Sequence, residues 1–133
     1  MLAQGFLILN GVLYVLLGLW CAALPDKTSS AVGFALPTPG GKSEFITVYG
    51  GLEVSMGLFF LFCAFYQPTP ETDLLTVGLS YSLITYACLM LFRWGTIIAL
   101  KNLSVFVYSM VTLETAMTVA SAVLLWMRSG NAE

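Results

Sequence analysis

Three charged side chains stand inside long apolar segments of this sequence, and they are the residues best suited to chemistry. They are Glu53, Arg93 and Glu114. A carboxylate in apolar surroundings can take up a proton, a cation or a ligand that donates hydrogen bonds, and an arginine can pair with it. A charge at the centre of a bilayer costs about 2.5–3.5 kcal/mol, so such residues are candidate functional sites by default. We therefore predict that these three residues form the site of this protein.

Other catalytic or metal chemistry finds little support in the sequence. The chain has no histidine, the commonest general base and transition-metal ligand. Its three cysteines, Cys21, Cys63 and Cys88, lack Cys-x-x-Cys spacing, and we interpret them as small hydrophobic residues. The glutamates could hold Mg²⁺ or Ca²⁺, but Arg93 nearby disfavours a hard cation. Because the sequence also has no recognisable nucleophile motif or phosphate-binding loop, we expect no metal, no cofactor and no enzymatic activity.

The composition indicates that lipid is the solvent of this chain. Its 133 residues are 59% hydrophobic and only 9% charged, and the mean hydropathy is +0.90. A soluble domain carries about 25% charged residues. The sequence has no basic patch, which disfavours a nucleic-acid partner. We expect membrane lipids as partners and a single domain over residues 1–133.

Four segments are long and apolar enough to cross a membrane, which takes about 20 residues. They predict an all-α protein, a bundle of four transmembrane helices. The first segment has no basic stretch before it and is too long for a signal peptide, so we interpret it as a true membrane helix. The predicted helices span about residues 2–24, 45–66, 74–100 and 103–127.

The connection over residues 25–44 is the longest, and it is rich in proline and glycine. Within it, the stretch "SSAVGFAL" predicts a short helix at the membrane interface, which could act as a lid over the site. Lys27, Lys42 and Lys101 would lie on one face of the membrane. The positive-inside rule then places residues 25–44 and the turn around 101 in the cytoplasm of a multi-pass inner-membrane protein.

The three intramembrane charges are predicted to lie at similar depth. Counted from that face at about 1.5 Å per residue, Glu53 lies about 12 Å in, Glu114 about 17 Å and Arg93 about 10 Å. One arginine cannot neutralise two carboxylates. Either one glutamate is protonated or a cation or ligand supplies the missing charge.

Two tyrosines and several glycines are expected to surround these charges. Tyr49 comes one helical turn before Glu53, and Tyr14 lies on the most polar stripe of the first helix, so both are candidate ligand- or proton-binding neighbours. Small residues let membrane helices approach closely and could also form a homo-oligomer. The predicted helix-packing glycines are Gly18, Gly50, Gly51 and Gly57.

Two short stretches resemble each other: "GLEVSM" contains Glu53 and "TLETAM" contains Glu114. The longer stretches "EFITVYGGLEVSMGLFF", "LFRWGTII" and "LETAMTVASAVLLW" resemble a bacterial family of small four-helix inner-membrane proteins. That family is catalogued as a domain of unknown function (number four-three-four-five) and is loosely similar to DoxX-like proteins. The resemblance implies a fold and a location but no activity. Its motif positions correspond here to Tyr49, Gly50, Gly51, Glu53, Arg93 and Glu114.

Two functions follow from these features. In the first, the site binds or transports a small amphipathic or cationic ligand or a lipid, because an intramembrane acid is a candidate binding group. In the second, Glu53, Arg93 and Glu114 are a structural ion-pair network in a non-catalytic scaffold or assembly subunit. An enzyme using two carboxylates for acid–base chemistry is a third and weaker hypothesis.

Overall fold

The computed structural model describes residues 1–66, 69, 72–101 and 103–130, and its regular structure is helical throughout these ranges. Four helices are long and apolar enough to cross a membrane, which confirms the all-α prediction and its four long segments. With 22 to 27 residues each, they measure at least about 33 Å at 1.5 Å per residue. Their bounds are Leu2–Ala23, Pro39–Phe65, Leu74–Ala99 and Val105–Ser129.

The second long helix begins at Pro39, ahead of the predicted start at residue 45. Thr38 explains the earlier start, since its hydroxyl accepts a hydrogen bond from the Gly41 amide at 3.1 Å. Pro39 then takes the first helical position, where its missing N–H costs nothing. We label this helix in three parts: α3 (Pro39–Phe45), the π segment (Ile46–Leu52) and α4 (Glu53–Phe65).

The π segment is a stretch of π-helix in the middle of the long helix, with the sequence ITVYGGL. A π-helix closes its hydrogen bonds one residue later than an α-helix, and such stretches frequently occur at functional sites. This segment ends directly before Glu53 and contains the Tyr-Gly-Gly of the predicted motif. The π segment therefore determines the direction in which the Glu53 side chain projects from the helix axis.

The connection between the first two long helices also contains a short helix. This α2 spans Pro25–Ala31, so it begins four residues before the stretch "SSAVGFAL" and includes only the first three residues of that predicted short helix. It begins with proline at its first position and ends near Gly33, whose φ of 83° only glycine adopts readily. We label the remaining helices α1 (Leu2–Ala23), α5 (Leu74–Ala99) and α6 (Val105–Ser129).

The chain forms two compact units, and the first contains α1 to α4, apart from Leu2. Within it, α1 runs antiparallel to the long helix Pro39–Phe65. The Gln4 side chain donates a hydrogen bond to the Ala64 carbonyl at 3.0 Å near one end. Further along, a methyl group on Gly57 would lie 2.6 Å from the Gly11 carbonyl oxygen. The backbones therefore touch, as is usual where small residues line membrane-helix contacts.

The second unit contains the antiparallel pair α5 and α6. Polar contacts join these helices at three levels. At one end Arg128 donates to Asp73 at 2.6 Å, and Asp73 also caps α5 by accepting from the Thr76 amide at 3.2 Å. In the middle, the buried hydroxyls of Ser82 and Ser121 share a hydrogen bond at 2.9 Å. The third level is the pair of Arg93 with Glu114.

Candidate functional site

Arg93 and Glu114 form a two-pronged ion pair in the second unit. The Arg93 Nε atom donates to Oε1 and Oε2 of Glu114 at 2.9 and 2.7 Å, and Nη2 donates to Oε1 at 2.6 Å. The Glu114 side chain is 7% exposed and that of Arg93 is 29% exposed. Paired donors on one carboxylate are the strongest arrangement that these two groups can adopt. Glu114 is therefore neutralised and fully supplied with donors inside its own unit.

Local helix geometry supports this pair. The Thr118 hydroxyl donates to the Glu114 carbonyl at 2.7 Å, and the Thr96 hydroxyl donates to the Arg93 carbonyl at 2.8 Å. Both threonines thus satisfy their own hydroxyls within their helices. The carboxylate of Glu114 consequently has the arginine as its dedicated partner.

Glu53 has a different environment in the first unit. Its carboxylate oxygen Oε2 is buried and has no hydrogen-bond partner among the described residues. A buried polar atom without a partner costs about 1–3 kcal/mol, and each such atom in a folded protein calls for an explanation. Both carboxylate oxygens of Glu114 thus accept hydrogen bonds, whereas Oε2 of Glu53 accepts none.

Cys21 of α1 lies within electrostatic range of Glu53, and its buried thiol neighbours the Thr28 side chain of α2. The Thr28 hydroxyl donates to the Leu24 carbonyl at 3.0 Å, so its proton is already committed. The proximity of Cys21 to the acid depends on how α1 packs, for which the local sequence gives no signal.

Tyr49 contributes to an aromatic cluster. Its ring stacks on Phe45 with centroids 4.7 Å apart, and it meets Phe34 edge-on at 5.8 Å. Among the described residues it makes no hydrogen bond to Glu53. Tyr14, the other predicted neighbour, packs against Phe60 at 5.8 Å. The role of both tyrosines as ligand-binding groups stays a prediction.

The predicted packing glycines have two different surroundings. Gly18, Gly50 and Gly57 lie in the close contact between α1 and the long helix, and a methyl group on Gly18 would lie 2.7 Å from the Gly50 carbonyl oxygen. Gly51 is exposed, and a methyl group there would meet nothing within 4 Å. A packing role for Gly51 stays a prediction.

The predicted cluster joins residues of both compact units. Glu53 belongs to the first unit, whereas Arg93 and Glu114 belong to the second. A site shared by all three charges stays a prediction. Among the described residues, no group of three or more metal-ligating side chains could hold a metal ion.

A groove of about 300 Å³ opens where the connection meets the long helix. Aromatic rings, small apolar side chains and one carboxylate form its walls. We call it the aromatic groove, and its lining residues are Phe34, Ala35, Leu36, Gly41, Glu44, Phe45, Val48 and Tyr49. A second groove, of about 780 Å³, follows α6 and is lined mainly by apolar side chains and threonines.

Comparison with known proteins gives no match from which a role for the site could be inferred. The resemblance to the small bacterial four-helix family rests on short motifs and stays a prediction. No family model, no curated protein and no solved structure matches this chain.

Proposed function

We propose that this is a multi-pass protein of a bacterial inner membrane whose four long helices form one bundle. In this proposal the segments 25–44 and around 101 face the cytoplasm, and the chain belongs with the small four-helix family that its motifs resemble. The four helices of membrane-spanning length support the membrane location. Many large apolar side chains on them are exposed, as a lipid environment requires.

We further propose that the protein binds a small amphipathic ligand at Glu53, which is the step that transport of such a ligand would need. The observation that carries this function is the buried Oε2 atom of Glu53, which lacks a donor. Protonation would not resolve the shortage, because a carboxyl hydroxyl in turn needs an acceptor. A ligand with an N–H group on an apolar body would supply both the donor and the compensating charge. Binding of this kind needs no catalytic step.

A pair of related amines tests this proposal. Phenethylamine carries N–H donors on an aromatic body, whereas its N,N,N-trimethyl analogue keeps the charge but cannot donate a hydrogen bond. Binding of each to the purified protein is measured calorimetrically in maltoside micelles. We expect the Glu53→Gln variant to bind phenethylamine roughly 10- to 150-fold more weakly, since a hydrogen bond to a charged group contributes about 1.5–3 kcal/mol.

The conservative variant Glu53→Asp keeps the charge and should retain part of the affinity. The trimethyl analogue, which keeps only the charge, should depend on residue 53 much less than phenethylamine does. Equal phenethylamine binding by wild type and Glu53→Gln would overturn the proposal.

The second candidate function is that of a scaffold or assembly subunit. The saturated pair of Arg93 and Glu114 favours it, because this pair offers no free group to a ligand and fastens α5 to α6. On this hypothesis the partners are other membrane helices or a second copy of the chain. It predicts that Glu53→Gln leaves phenethylamine binding unchanged and alters only stability.

A further inference from the structure

We propose that the aromatic groove is a binding site for a small quaternary ammonium cation. This site is separate from Glu53 and does not depend on whether Glu53 binds a ligand. Its volume of about 300 Å³ lies at the lower end of the range of ligand pockets. The proposal rests on the arrangement of three rings and one carboxylate around that space.

The rings of Phe34, Phe45 and Tyr49 form one contiguous cluster. Phe45 and Tyr49 stack at a centroid distance of 4.7 Å and an angle of 22°, and Phe34 stands edge-on to Phe45 at 6.4 Å and 81°. The faces of aromatic rings carry negative charge and attract organic cations. Phe34 is 47% exposed, so part of its ring remains available to a ligand.

The connection holds Phe34 in place before any ligand arrives. Its amide donates to the Ser29 carbonyl at 2.8 Å, directly after the turn at Gly33. Lys42 of α3 donates to Asp26 of α2 at 2.6 Å, and this ion pair ties α2 to α3, which supplies Gly41, Glu44 and Phe45 to the groove. A ligand therefore meets a largely formed site, which lowers the entropic cost of binding.

The charge of the groove favours a cation. Glu44 lines it, is exposed and forms no ion pair among the described residues. Lys42, the nearest cationic residue in sequence, is already engaged by Asp26. The groove, with one carboxylate beside three aromatic rings, therefore has a negative electrostatic potential. No positive charge of the surrounding described residues compensates it.

The walls favour a quaternary ammonium over other cations. A metal ion needs several oxygen ligands, and Glu44 is the only carboxylate that lines the groove. A primary ammonium is strongly hydrated. In the groove its bound water would be replaced by side chains that accept few hydrogen bonds. The methyl groups of a quaternary ammonium can instead contact Ala35, Leu36 and Val48 while the charge stays near the rings.

The test is a titration of the purified protein with benzyltrimethylammonium in maltoside micelles, which carry no competing ammonium group. Ligand-observed NMR detects saturable binding. Phe34→Leu keeps apolar bulk but removes a ring, and Glu44→Gln removes the charge. Each should weaken binding roughly 2- to 5-fold, and the double variant roughly 4- to 25-fold, as expected for exposed cation–π contacts and surface charges.

Two controls separate this site from other effects. Phe62→Leu removes a ring that is also 47% exposed and stacked on a tyrosine, Tyr66, but lies outside the groove; it should leave binding unchanged. Glu53→Gln should keep benzyltrimethylammonium binding even where it loses phenethylamine, so the two proposals can fail independently. If Phe34→Leu lowers the melting temperature, its loss of binding could come from a damaged fold. The binding of Glu44→Gln then decides the outcome. Absence of saturable binding to wild type, or equal binding by the double variant, would overturn the proposal.

Discussion

Replacing Glu53 or Glu114 by glutamine should affect stability very differently at the two positions. Glu114→Gln keeps the size of the side chain but removes the charge that faces Arg93, and three short N–H···O contacts depend on that carboxylate. Glu53→Gln removes a charge whose Oε2 atom has no donor. The same chemical change thus breaks a satisfied pair in one unit and relieves an unsatisfied group in the other.

The magnitudes follow from burial. Removing one partner of a buried ion pair costs about 3–5 kcal/mol, because the remaining charge is left without compensation. The Arg93 side chain is 29% exposed and keeps some access to its surroundings, so we expect the lower end, about 3 kcal/mol, for Glu114→Gln. For Glu53→Gln we expect a change within about 1 kcal/mol, in either direction.

Unfolding in mixed maltoside and dodecyl sulfate micelles, followed by far-ultraviolet circular dichroism, measures both free energies against wild type. Arg93→Ala should cost at least as much as Glu114→Gln, since it leaves Glu114 buried without a partner. Similar losses for the two glutamine variants, or a greater loss at residue 53, would refute this reasoning and favour a structural role for Glu53.

Two further predictions concern packing and pH. Gly18→Ala should destabilise the protein by about 1–3 kcal/mol, since its methyl group would lie 2.7 Å from the Gly50 carbonyl oxygen; Gly5→Ala in the same helix meets nothing within 4 Å and should change stability by less than about 1 kcal/mol in the same unfolding assay. Burial acts to raise the pKa of Asp73, but hydrogen bonds from Arg128 and Thr76 outweigh it and hold that pKa below its ordinary value. A lowered pKa stabilises the fold above the unfolded value of about 3.9 and loses this effect as the pH falls through the folded value; melting curves from about pH 5 to about pH 3 should show the loss in wild type but not in Asp73→Asn.

The four long helices could be predicted from sequence because a continuous run of about 20 apolar residues is typical of a helix of membrane-spanning length. The start at Pro39 could have been predicted too, since Thr38 and Pro39 have the residue types of a helix cap and a first helical position. The π segment could not, because ITVYGGL carries no pattern that separates π from α hydrogen bonding. Its geometry depends on the close contact of Gly50 with α1.

The candidate site likewise contains some contacts that the sequence predicts and others that it does not. Counting residues along two antiparallel helices is enough to bring Arg93 and Glu114 to similar depth, and the structure brings them into contact. The interaction of Cys21 with Glu53 and the ring cluster around Phe34 both arise where separate helices or turns meet. Such contacts depend on rotation about helix axes and on a single backbone turn, which neither composition nor periodicity specifies.

The two similar motifs make the difference between the glutamates informative. Glu53 and Glu114 each follow a leucine in the later long helix of their own unit, so neither local sequence nor helix position explains why Oε2 of Glu53 lacks a donor. The ion pairs explain the difference: Glu114 meets an arginine from α5, whereas Glu53 forms no ion pair among the described residues. An arginine neutralises its acid permanently, because its guanidinium stays protonated. Without a permanent cationic partner, Glu53 rather than Glu114 is the carboxylate that our proposal assigns to a charged ligand.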